Sequence, residues 1–384
     1  MISSRERIIT ALQHEEPDRV PYDLGGTLST GITQKAYLEL TSYLGKKVKE
    51  PVIGDWVQQL VQVEEALLEE LAVDTRGIFP KQVQSSSVKF WEEERTQFLR
   101  DEFGMVSKMP PGGFYYDTIK CPLEGDITIG TINTYPWPNA SDSSRFSGLR
   151  SKVDFFRKRK KLVVLGSGMF GGFFCFAARL RGFDNFYIDL LGNPDLACSL
   201  MDRLIELKME FYRKFFDVVD DRIDVIVEAD DLGAQKGLII SPQIYRKYVK
   251  PRQRKLYSFI KKEAKSHIYL LLHSCGSVAE LIPDFIEVGV DILNPVQVSA
   301  ARMDTTKLKS LYGEDITFWG GGCDTQRILP RGTVEEVKDE VKRRIDDLAP
   351  GGGFVFAPVH NIQPDVPPRN LMAMWATLQN YGTY

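Results

Sequence analysis

The run Tyr269-Leu270-Leu271-Leu272, which leads directly into His273-Ser274-Cys275-Gly276, constrains this chain more than any other stretch. It reads as a strand buried on both faces, and such strands belong to parallel sheets covered by helices. Histidine and cysteine are borderline and soft metal ligands, so His273 and Cys275, one residue apart at the strand end, mark a candidate centre of chemistry. The alternative is that His273 bonds a backbone carbonyl and Cys275 packs as a small hydrophobe. The chain holds only 4 His and 5 Cys in 384 residues, so their proximity at a strand end is unusual by chance.

Further strands alternate with helices that carry start signals, the pattern of a parallel sheet wrapped by helices. After 162–166 a helix opens at Asn193-Pro194, with apolar residues at 196, 200, 204, 207, 211 and 215 along one face. The strand 224–228 leads to Ser241-Pro242, a cap followed by proline. The strand at His273 leads to Ser277 and Glu280, read as a capping box, with Gly289 closing that helix. Strands at 292–293, 316–319 and 354–356 follow, the last preceded by a helix with Thr333 and Glu336 as its capping box. Two more candidates, 20–24 and 74–79, bring the count to eight. The expected fold is α/β, a (β/α)8 TIM-type barrel spanning residues 1–384, with an antiparallel insertion after the second strand at about 83–145.

Composition adds exclusions. Hydrophobic residues at 43% and charged residues at 26% suit a well-packed globular chain. A net charge of -3 gives no reason to expect nucleic acid or anionic membrane as a partner. The basic run 157–161 reads as a solvated helix end. Cysteines 121, 175, 198, 275 and 323 form no disulfide framework, which points to a reducing compartment, and Cys121, Cys175 and Cys198 read as packing residues. With no signal-peptide core and no apolar stretch of membrane-spanning length, the expected location is cytoplasmic.

In such a barrel the chemistry sits at the carboxyl ends of the strands. The residues there are Asp23, then Glu228, Asp230 and Asp231, then His273 and Cys275, then Cys323 and His360. The soft or borderline groups His273, Cys275, Cys323 and His360 would suit zinc with one coordination position left open. Three carboxylates close together are costly without a cation, although a solvated loop would also explain them. Gly166-Ser167-Gly168-Met169-Phe170-Gly171-Gly172 has the rough look of a dinucleotide loop. Its sequel, Phe173-Phe174-Cys175-Phe176, suggests instead an apolar wall for a flat ligand.

With these residues in view, the chain resembles the uroporphyrinogen decarboxylase superfamily along nearly its whole length. The likeness is carried by Arg5-Glu6-Arg7 through Pro17-Asp18-Arg19-Val20-Pro21, by Ser241-Pro242 to Lys250-Pro251, and by Gly351-Gly352-Gly353-Phe354 through His360-Asn361 to Pro367-Pro368-Arg369-Asn370. The resemblance implies a (β/α)8 barrel. The superfamily holds decarboxylases and zinc-dependent methyltransferases that work with corrinoid proteins. The decarboxylases carry an arginine-rich segment after the first strand, whereas this chain has no basic residue between Arg19 and Lys35. The methyltransferases carry His-x-Cys at the fifth strand, matched by His273-Ser274-Cys275, and a later cysteine. At that later position this chain has His360, so the third ligand is either His360 or Cys323, with Cys323 preferred.

The resemblance therefore implies a methyltransferase of the O-demethylase type. It would take zinc on His273, Cys275 and Cys323, with Glu228, Asp230 and His360 as catalytic groups. Asp23, Phe173 and Trp319 would contact a methoxylated, aromatic methyl donor. The acceptor would be the Co(I) of a corrinoid (cobalamin) carried by a partner protein, because the chain has no corrinoid-binding motif of its own. The alternatives are methyl transfer from a methylcobamide to a thiol or tetrahydrofolate-type acceptor, metal-free decarboxylation, and a silent binding protein.

Overall fold

The computed structural model describes residues 2–47, 50–81, 88–159 and 162–384. Seven strands form one parallel sheet in chain order: Thr75–Ile78, Val163–Ser167, Val225–Ala229, Tyr269–His273, Ile292–Asn294, Thr317–Trp319 and Phe354–Val355. Residues around Tyr22 fill the eighth place. Tyr22 bridges Phe356 in parallel, Asp23 N–H donates to Phe356 O at 2.9 Å, and Asp74 N–H donates to Tyr22 O at 2.9 Å. This segment is thus tied to the last strand on one side and the first of the seven on the other, which closes a (β/α)8 TIM-type barrel. It is a single bridge rather than the full strand expected over 20–24, since Pro21 offers no N–H to a ladder.

Side chains alternate across each strand and divide the core in two. Val163, Leu165, Val225, Leu271, Ile292, Trp319 and Val355 fill the barrel interior together with Ile8 and Leu12. Val164, Ile226, Leu270, Leu272, Leu293, Phe318 and Phe354 face the helices. The helix Ser4–Leu12 brings Ile8 and Leu12 to the amino ends of the strands, where Arg5 pairs with Asp224 at 3.0 Å and Arg7 with Asp74 at 2.7 Å. That end is plugged, and the open mouth lies at the other.

The helix Pro194–Val219 buries Leu196, Leu200, Leu204, Leu207, Phe211 and Phe215 on the face its sequence period marks. Each such side chain contributes about 1.5–3 kcal/mol on burial. Thr333 and Glu336 cap the helix Val334–Leu348 reciprocally. The capping box expected at Ser277 and Glu280 does not form. The helix there begins later, at Ile282, because Ser277 N–H is taken by Ala234 O at 2.9 Å. In the basic run 157–161, Lys160 and Lys161 lie outside the described residues, and Arg157 pairs with Asp224.

Between the second and third barrel strands, Lys89–Glu93, Thr96–Arg100, Val106–Met109 and Asp117–Lys120 form an antiparallel four-stranded sheet in sequence order. The start expected at about residue 83 lies outside the described residues, and the first described strand of the insertion is Lys89–Glu93. Leu99, Phe103, Met105 and Ser107 from this sheet and its turns line a cavity of about 470 Å³ at the barrel mouth. The insertion therefore builds one wall of the site. No described helix is long and apolar enough to cross a membrane.

Candidate metal centre

The fifth strand runs Leu271 and His273 to the interior side, so the imidazole emerges where the barrel opens into the cavity. Its Nδ1 lies 2.5 Å from Asn294 Oδ1, and Asn294 Nδ2 donates to Trp319 O at 2.8 Å. The second bond fixes which end of the amide is oxygen, and an amide oxygen only accepts. His273 therefore carries its proton on Nδ1 and presents a lone pair at Nε2. This is how metal-binding histidines are oriented by a neighbouring acceptor.

Two further donors meet that lone pair. Cys275 Sγ lies 3.4 Å from His273 Nε2, and the rings of His273 and His360 are 5.6 Å apart at 62°. One ligand atom from each of His273, Cys275 and His360 falls within 4.8 Å of the others. Zinc at about 2.0–2.3 Å from tetrahedral N and S ligands would separate them by roughly 3.5 Å, so this set fits the ion. Burial and the nearby His273 push His360 down to about 4, which keeps its ring neutral at pH 7. Burial and Asp231 push the Cys275 thiol well above its usual value, and a divalent cation would reverse that.

Asp231 borders the cluster. Its Oδ1 accepts Cys275 N–H at 2.8 Å and stands 3.9 Å from His273 Nε2. Gly276 makes the turn after Cys275 with φ +87°. A Cβ there would come within 2.3 Å of Gly233 C, so only glycine lets the two strand-end loops touch.

Several expected site residues lie elsewhere. Cys323 is fully buried among apolar side chains of the helix-facing core and is not in the donor cluster, so His360 takes the third place. Glu228 has the parity of Ile226, which faces the helices. It is held there by Lys208 Nζ at 3.0 Å and Tyr212 OH at 2.5 Å, outside the cavity lining. Asp230 does line the cavity, but it accepts the N–H groups of Phe174 and Cys175 at 3.3 and 2.9 Å and so caps the helix Phe173–Arg181. Burial pushes Asp230 up to about 7.

Asp23 and Trp319 satisfy each other in the barrel interior, Trp319 Nε1 donating to Asp23 Oδ2 at 2.8 Å. Thr75 Oγ1 and Gly26 N–H supply further bonds to Asp23. Neither lines the cavity. Phe173 is likewise buried in the outer core, as the first residue of a helix whose cavity face begins at Cys175 and Phe176. Cys175, read as a packing residue, is part of that face and donates from Sγ to Asp231 O at 3.2 Å.

Asn294, Phe103 and Arg179 lie outside the residues the sequence marks, whereas Phe170 belongs to the glycine-rich stretch 166–172. Only Asn294 carried a usable signal, as the polar residue ending an apolar strand. Phe103, Phe170 and Phe176 form an aromatic cluster in the cavity wall. Phe170 and Phe176 are stacked at 4.5 Å, with Phe103 edge-on to both at 5.4 and 4.7 Å.

Residues 124–381 match the model of the family described as Uroporphyrinogen decarboxylase (URO-D), and the chain belongs to that family. It is 25% identical over 181 residues to the uroporphyrinogen decarboxylase of Geobacter sulfurreducens, covering 47% of this chain and 48% of the relative. It is 24% identical over 184 residues to that of Trichlorobacter lovleyi, with 47% and 48% covered. The chain thus aligns with about half the length of these curated relatives. Among solved structures, a methyltransferase from Methanosarcina mazei superposes with a TM-score of 0.67 over 99% of each chain at 19% identity, a likeness of fold.

Proposed function

We propose that this protein is a metal-dependent methyltransferase that moves a methyl group from a methoxylated aromatic compound to the Co(I) of a corrinoid carried by a partner protein. The observation that carries the reading is the cluster of His273, Cys275 and His360 beside a cavity of about 470 Å³. Three protein ligands with a fourth position free are the arrangement of a catalytic zinc site rather than a structural one. The family and the methyltransferase fold neighbour support an enzyme of this kind.

Bound there, zinc would supply a Lewis acid for the ether oxygen as it leaves. The methyl–oxygen bond would break with its electron pair going to oxygen, giving a phenoxide, while the methyl carbon passes to the cobalt nucleophile. Among the chain's own residues, Asn294 holds the His273 lone pair toward the ligand cluster. Asp231 fixes the Cys275 backbone. Phe103, Phe170 and Phe176 offer an apolar wall for the ring, and Leu99, Met105 and Ser107 of the insertion line the same cavity.

The test is methyl transfer from a methoxybenzene to free cob(I)alamin, followed by the change in the corrinoid spectrum, with zinc-loaded protein and with protein stripped by chelator. Transfer that requires zinc supports the reading. Transfer or decarboxylation that proceeds equally without metal would replace it.

A further inference from the structure

The helix Phe173–Arg181 lays one face along the cavity. Gly172, Cys175, Phe176 and Arg179, spaced as i, i+3, i+4 and i+7, all line it. At one end Gly172 packs on Ala229, which lies in register with His273, so that end is beside the metal cluster. Seven residues of helix place Arg179 about 10 Å further along. There its guanidinium makes, among the described residues, one hydrogen bond, from Nη2 to Thr118 Oγ1 at 3.4 Å, and no ion pair. Four of its five N–H donors are thus left without a protein acceptor among the described residues, on a side chain that lines the cavity.

The acids nearby are engaged by backbone. Asp101 accepts the N–H groups of Phe103 and Met105, both at 2.9 Å, and Asp55 accepts that of Gln58 at 2.7 Å. Both feel the charge of Arg179, but neither reaches it as an ion pair. Arg145, another cation in the cavity wall, is clamped by Glu102. Phe176, three residues before Arg179 on the same helix face, stacks on Phe170 at 4.5 Å in the same cavity wall.

We propose that Arg179 is the anchor for a carboxylate on the substrate, so that the cavity takes a methoxylated aromatic acid with its methoxy group toward His273 and its carboxylate toward Arg179. This rests on the methyl-donor reading above and adds the polar end of the donor. The helix rise of about 10 Å from Gly172 to Arg179 is on the scale of one benzene ring with a substituent at each end. A planar guanidinium recognises a carboxylate through two parallel hydrogen bonds, which a neutral amide cannot match.

The experiment is calorimetric titration of the zinc-supplemented protein with 4-methoxybenzoate and with 4-methoxybenzamide, in the wild type, Arg179→Gln and Arg179→Lys. The acid should bind the wild type at least about 10-fold more tightly than the amide. Arg179→Gln should erase that difference while keeping the wild-type melting temperature, and Arg179→Lys should retain part of it. Equal binding of acid and amide, binding of neither, or an acid preference that survives Arg179→Gln would overturn the proposal. The titration needs no corrinoid and no turnover. An Arg179-dependent acid preference in protein that takes up no zinc would leave this subsite standing while the metal reading fails. Zinc uptake without the preference would do the opposite.

Discussion

His273 Nδ1 and Asn294 Oδ1 lie 2.5 Å apart across adjacent strands whose registers align these two residues. The contact decides which nitrogen of His273 faces the cluster. Replacing Asn294 by Ala should weaken zinc binding about 10- to 100-fold, the usual cost of losing such a partner. Asn294→Asp should keep most of the affinity. Competition with a chromophoric chelator measures both, and unchanged affinity in Asn294→Ala would mean that the barrel wall alone orients the ring.

Lys208 and Glu228 form a fully buried ion pair at 3.0 Å, and Lys208 also donates to Phe170 O at 3.0 Å. Lys208→Met should cost about 3–5 kcal/mol, since it strands the Glu228 charge away from water. Lys208→Met with Glu228→Gln should recover much of that loss. Denaturant unfolding of the two single variants and the double variant checks the non-additivity.

Burial pushes Asp101 up to about 6 from 3.8, against the hydrogen bonds from Met105 and Phe103. A carboxyl raised in the folded state binds its proton more tightly there than in the unfolded chain. Its contribution to stability is full below about pH 4 and is lost as pH rises through about 6. Asp101→Asn should flatten the fall in stability across that window relative to wild type. Urea unfolding at several pH values from 4 to 7 follows it.

The barrel was legible because its strands are apolar runs and its helices carry caps, and both signals are local. Strand parity is also in the sequence, and it sets Glu228, two residues after Ile226, on the helix-facing side away from the mouth. The third ligand was harder. Cys323 and His360 both follow strands by a few residues, and only the path of each loop shows that one thiol turns into the outer core while the imidazole reaches His273. Asp23 and Trp319, residue types that suit a substrate contact, instead bond each other across 296 residues of sequence. Arg179 sits inside an ordinary amphipathic helix, where no pattern distinguishes a cavity-facing arginine from a solvated one.

Gly172 is required by contact, since a Cβ there would lie 1.7 Å from Ala229 O and 2.1 Å from Asp230 Oδ1. Gly172→Ala should cost about 3 kcal/mol through overpacking. Gly192→Ala, where nothing lies within 4 Å, should change stability by less than about 0.5 kcal/mol. Thermal melts of the two variants compare them directly.

Elemental analysis of metal content, in the wild type beside Cys275→Ala, His360→Ala and Cys323→Ala, decides whether His273, Cys275 and His360 hold zinc. About one zinc per chain is expected in the wild type and in Cys323→Ala, with the metal lost in the other two. A wild type that neither carries zinc nor takes it up, or a site emptied by Cys323→Ala and kept by His360→Ala, would rule this centre out.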